Sequence, residues 1–217
     1  MKRWLAAVVT ALILWPAAAS ASSASFVAFD SFSGGSWQGV YGSDGYQVVN
    51  DSQNLPAYAT VTPTAASLYT WAASTTDPRG AQKAAPATDR IAACWYSSTS
   101  FSLSVTISDG QTHQMAIYAL DWDNYYGRTE TIEVRDAATN ALLDSRNLSG
   151  FQGGVWAVWN VSGNLKVVVV NTNGPSNAVV SGIFFGPVQA VPQSSSQATY
   201  VRSDTTTQGS WKGVYGS

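Results

Sequence analysis

Cysteine and histidine are almost missing from this 217-residue chain, which has one of each, Cys94 and His113. A single thiol excludes an internal disulfide framework. A single imidazole excludes a histidine-rich zinc site, and a Ser-His-Asp triad would have to use His113. Charge is scarce too. Charged residues are 11% of the chain and the net charge is −2, so there is no basic field to hold nucleic acid. No window sustains a helical period, and no GxSxG, HExxH, Walker or dinucleotide-binding glycine pattern occurs in a fitting context. These absences point away from an enzyme. The longest apolar run, Leu5 to Trp15, is too short to span a bilayer comfortably. It follows Lys2 and Arg3 and precedes Ala19-Ser20-Ala21, a small-x-small cleavage site. Residues 1–21 therefore read as an export signal, with the mature chain starting near Ser22, a secreted or cell-surface location and no membrane contact after cleavage.

What the chain has in excess is aromatic surface, with nine Trp and ten Tyr. Much of the rest alternates at period two. Phe101, Leu103, Val105 and Ile107 fall on one face of a strand whose other face carries Ser102, Ser104 and Thr106. In Arg90 to Ser97, Ile91, Ala93 and Trp95 face one way and Ala92, Cys94 and Tyr96 the other. Similar strands are expected over Val155–Val161, Leu165–Asn171 and Ala178–Phe185. Asp109-Gly110 reads as a hairpin turn into the strand that begins at His113, and Ala137 to Asn140 as a second hairpin turn. The expected fold is an all-β antiparallel sandwich of roughly eight to ten strands, a jelly roll. Its core should include Phe101, Leu103, Val105, Ile107, Ile117, Ile132, Val134, Trp159, Val167, Val169 and Phe184.

An internal repeat organises the chain. GSWQGVYGS, Gly35 to Ser43, recurs as GSWKGVYGS, Gly209 to Ser217, and Asp30 recurs as Asp204 in the same register. Residues 24–188 form one module, 189–198 a Pro- and Ser-rich linker, and 199–217 the truncated start of a second copy. Further modules of the same chain are the expected neighbours.

The order of DPRGAQ, RIAACWYSSTSF, DGQTHQMAIYALDWD, RTETIEVRDAATNALLD and NAVVSGIFFG resembles a module of secreted, multidomain bacterial proteins. More loosely, it is similar to the galactose-binding-like and malectin-like jelly rolls that serve as carbohydrate-binding modules. The resemblance implies a β-sandwich and a glycan or cell-surface polysaccharide as partner. It carries no binding residues over position by position.

Candidate site residues come from chemistry, and they cluster where the His113 strand opens into a loop. Trp122, Tyr125 and Tyr126 suit a stacking platform for sugar rings, with Asp121 and Arg128 supplying hydrogen bonds to hydroxyls. Asp121, Asp123 and Asn124 offer oxygens for a structural Ca²⁺. The competing reading pairs one of these carboxylates with Arg128 and uses the other in a turn. Neighbouring carboxylates on one strand do not straddle a glycosidic bond, which argues against hydrolysis. Trp37, Tyr41 and Tyr46 form a second possible platform or, because their motif recurs, a packing unit. Arg79, Arg90 and Arg128 either grip hydroxyls or tie loops to Asp77, Asp89 and Asp121. Cys94 reads as a buried inert thiol. Two functions remain, a non-catalytic carbohydrate-binding module and a structural or adhesive spacer.

Overall fold

The computed structural model describes residues 21–188 and four single positions of the tail, 206, 207, 209 and 214. The expected export signal (1–21, save Ala21), the expected linker (189–198) and most of the expected second copy (199–217) lie outside the described residues. The strands are β1 (Ser23–Asp30), β2 (Gly45–Val48), β3 (Gln53–Asn54), β4 (Ala59–Thr64), β5 (Ser67–Thr75), β6 (Ala81–Gln82), β7 (Arg90–Ser97) and β8 (Ser100–Ile107). They continue as β9 (His113–Ala119), β10 (Thr129–Asp136), β11 (Leu142–Ser149), β12 (Val155–Ser162), β13 (Asn164–Asn171), β14 (Ala178–Val180) and β15 (Gly182–Gly186). No helix occurs among the described residues. The strand count exceeds the expected eight to ten because several are very short.

The architecture is an all-β antiparallel sandwich. One sheet runs β1-β12-β9-β15-β2-β3, the second runs β11-β10-β13-β8-β4, and a smaller third runs β14-β7-β5 with β6 against β7. Buried residues from all three sheets form one hydrophobic core, and every residue expected there is at most 3% exposed. Consecutive strands β8, β9 and β10 alternate between the two large sheets, as do β11, β12 and β13. Asp109-Gly110 is therefore a corner between sheets and not the turn of a hairpin, which corrects the expectation above. Gly110 has φ +72°, the same backbone chemistry that a hairpin turn demands, so local residues do not distinguish the two. The β10–β11 hairpin is formed as expected, with Ile132 opposite Arg146.

The GSWQGVYGS segment is a packing unit and not a ligand platform. Trp37 is 5% exposed and packs against Tyr46 and Phe184. Tyr41 stacks on Trp156 at 4.3 Å and donates its hydroxyl to Asp30. Gly35 is docked by backbone bonds to Pro78 and Gln82. A Cβ there would lie 1.9 Å from the Gly80 carbonyl oxygen, so glycine is required, and the repeat keeps it as Gly209.

The third sheet positions the site. Its inner face gives Ile91, Ala93 and Trp95 to the core. Its outer face carries Cys94 and Tyr96 from β7, with Tyr69 directly opposite Cys94 on β5. The β5–β7 register shifts between Thr70 and Ala72, a bulge of the kind that re-aims a side chain, and Trp71 sits in it.

Candidate functional site

A cleft of about 190 Å³ opens between this outer face and the loop after β9. It is lined by Tyr69, Trp71, Cys94, Tyr96, Asp123, Tyr125, Arg128 and Asn177. Tyr69 and Tyr125 are about half exposed, at 51% and 45%. The loop is held in shape by its own backbone, with Asn124, Tyr126 and Gly127 all at positive φ. Asn173 reinforces it by donating to the Tyr126 and Gly127 carbonyls.

Arg128 is the floor. Its side chain is 3% exposed and its guanidinium lies 5.5 Å from the centre of the Trp71 ring and 5.4 Å from that of Tyr125. Its Nη1 donates to Asp121 and Asp123, its Nε donates to Asn177 Oδ1 at 2.8 Å, and its backbone N–H donates to the second Asp121 oxygen. Nη2 makes no hydrogen bond among the described residues. Burial alone would weaken the cation, but the bonds to Asp123 and Asp121 outweigh it and hold the guanidinium charged. Burial likewise pulls Asp123 up, and the Arg128 and Trp71 hydrogen bonds overcome it, leaving this carboxyl below the usual range. The Trp71 indole N–H donates to Asp123 Oδ2 at 3.0 Å, so one carboxylate orients both an aromatic wall and the floor.

Two buried groups lie near the floor. Cys94 is 1% exposed, and burial keeps its thiol protonated far above the ordinary range. Glu130 is fully buried. One of its oxygens accepts the Val179 N–H at 2.7 Å, and the other has no partner among the described residues. Burial raises its pKa from the ordinary 4.5 to about 8. The folded state therefore binds this proton more tightly than the unfolded chain does. The associated stability is complete below about pH 4.5 and is lost as pH rises through about 8. Glu130→Gln should remove that dependence, so that its melting temperature falls less than the wild type's between about pH 5 and pH 8. Equal slopes for the two proteins would mean that Glu130 is not desolvated.

The expected site is partly reassembled. Tyr125 lines the cleft and Arg128 forms its floor. Tyr126 is 63% exposed but points elsewhere, edge-on to Tyr125. Trp122 corrects the platform expectation, because it lies under the Arg79 guanidinium at 4.5 Å and takes no part in lining the cleft. Asp121 is 0% exposed and can reach no ligand. The calcium set is not assembled either. Both Asp121 oxygens serve Arg128, Asp123 is divided between Arg128 and Trp71, and Asn124 Oδ1 accepts from Gln152. These residues do not fit the ion, and no cluster of three metal-ligating side chains occurs among the described residues. Arg79 and Arg90 tie loops, Arg79 to Asp77 at 2.8 Å and Arg90 to the Gly80 carbonyl. His113 bonds Asp109 and stacks on Tyr58. Sequence reasoning missed Tyr69, Trp71, Tyr96 and Asn177. The available signal was the period-two spacing of Tyr69 with Trp71 and of Cys94 with Tyr96, which gives each strand one face that carries aromatic rings.

No family model matches the chain, and no curated protein matches it. Among solved structures, it is similar to TmCBM61, a carbohydrate-binding module described in complex with β-1,4-galactotriose. The two align over 61% of this chain and 90% of that one, with 12% identity and a TM-score of 0.31.

Proposed function

We propose that residues 24–188 form a non-catalytic module of an exported protein and that the Tyr69–Trp71–Tyr96–Tyr125 cleft binds a sugar. The observation that carries this reading is the cleft's construction, with aromatic walls around a buried Arg128 whose Nη2 has no partner among the described residues. Pyranose rings present flat C–H faces edged by hydroxyls. Aromatic faces supply contact area for the former, and Nη2 and Asn177 supply directional bonds for the latter. The Trp71 and Tyr125 faces already hold a guanidinium, which disfavours a cationic guest. The cleft is small beside the roughly 300–1,000 Å³ pockets that enclose drug-sized ligands, so it takes about one ring. Catalysis finds no support here. The thiol is held protonated and Asp123, the carboxylate of the lining, is paired at both oxygens. The repeat of GSWQGVYGS supports further modules in the same protein, where weak single-ring sites gain avidity through linkage.

A glycan-array screen of the chain, followed by titration of the best binder, tests the proposal. Tyr69→Ala and Tyr125→Ala are each expected to weaken binding roughly three- to tenfold with little change in melting temperature, since both rings are half exposed. Trp122→Ala should leave affinity unchanged. The reverse pattern would move the site out of this cleft. If no glycan binds and the tyrosine variants instead lose stability, the cleft is structural and the spacer reading replaces this one.

A further inference from the structure

The site assigned above is selective by charge: we infer that it accepts uncharged sugar units and rejects uronates, and that Asp123 is the residue that enforces the choice. This inference rests on the sugar-binding reading. A buried arginine in a glycan cleft would ordinarily suggest an acidic ligand, because guanidinium grips carboxylates through two parallel N–H bonds. Here that fork is closed. Nη1 is held by Asp121 and Asp123, and Nε by Asn177 Oδ1. Only the two diverging N–H bonds of Nη2 are left, so Arg128 can donate singly to hydroxyls but cannot present the parallel pair on neighbouring nitrogens that grips a carboxylate.

The charge balance points the same way. The cleft lining carries one carboxylate, Asp123, and one guanidinium, Arg128, and Asp121 stands behind Arg128. One cation faces two anions, and Glu130 adds no positive charge in either protonation state. Asp123 is 40% exposed, whereas Asp121 is at 0%. Asp123 is therefore the anion that an incoming ligand meets, in a pocket whose apolar walls screen charge poorly.

The experiment uses matched pairs that differ only at C6. Galactose-, glucose- and mannose-terminated disaccharides are compared with the corresponding terminal galacturonate, glucuronate and mannuronate, by calorimetry at low salt near neutral pH. At least one neutral member should bind, and its uronate partner should bind roughly tenfold or more weakly. Raising the salt should improve uronate binding and leave the neutral sugar unaffected, because screening weakens only the repulsion. Asp123→Asn should narrow the gap within the pair. The salt titration on wild-type protein carries the same information if that variant does not fold. A uronate that binds as well as its neutral partner, or better, overturns this inference and leaves sugar binding intact. If neither member of any pair binds, the sugar-binding reading falls, and this inference falls with it.

Discussion

Arg128→Ala is expected to destabilise the domain by about 3–5 kcal/mol, read as a fall in the denaturant midpoint. The reason is what it leaves behind. Asp121 has no exposed surface, one of its oxygens is held by the guanidinium, and the other faces the Arg128 backbone N–H. Removing the guanidinium strands a carboxylate in the interior, and Asp123 and Asn177 lose their shared donor at the same time. The cost is that of an unpaired buried charge and is not the net value of the ion pair, which is smaller. Adding Asp121→Asn to the variant should therefore recover a good part of the loss, a coupling that a double-mutant cycle reads directly. A single-variant cost below about 1 kcal/mol would place Asp121 in contact with water.

Trp156→Ala should cost a similar amount, about 3–5 kcal/mol, from the opposite kind of interaction. The indole is 0% exposed. It stacks on Tyr41 at 4.3 Å and Tyr118 at 4.7 Å, meets Phe184 edge-on, and donates its N–H to the Gly34 carbonyl at 2.7 Å. Truncation opens a cavity beneath the glycine-rich segment and leaves that carbonyl without its donor. Limited proteolysis should then cut within residues 34–43 before the rest of the domain opens, because the truncation removes the ring under Tyr41 and the donor to Gly34 at once. A variant that loses stability without that early cleavage would show that the segment is held elsewhere.

Strands buried on one face could be read from the sequence. Ser102, Ser104 and Thr106 mark an outer face as clearly as Leu103 and Val105 mark an inner one, and β8 follows that pattern. Sheet membership could not. Asp109-Gly110 supplies the same left-handed turn whether the next strand pairs with β8 or crosses to the other sheet, and only the global packing decides. The loop at 121–128 stood out because charge is rare in this chain and two carboxylates and a guanidinium cannot be crowded without pairing. Which of its side chains face the cleft depends on β5, β7 and Asn177, which are distant in sequence. Trp122 and Tyr125 look alike in one dimension. They part company because Arg79 covers the first outside the cleft, whereas the second lies over Arg128 within it and stays half exposed.

The position of β1 also sets an order of events. Its partner within the sheet is β12, with Ser23 opposite Ser162 and Asp30 opposite Trp156. At roughly 5–20 residues per second of synthesis, the first strand waits on the order of ten seconds before its partner exists. Growth from the N-terminus cannot lay this sheet down strand by strand. The ends must meet late, after the intervening strands have been made, so closure of the sheet belongs to the slow regime of milliseconds to seconds that non-local β topologies occupy. Until then, Phe26 and Val27 remain available to any other unpaired edge, and a chain that carries a second copy of its own opening segment brings a competitor for β12 with it.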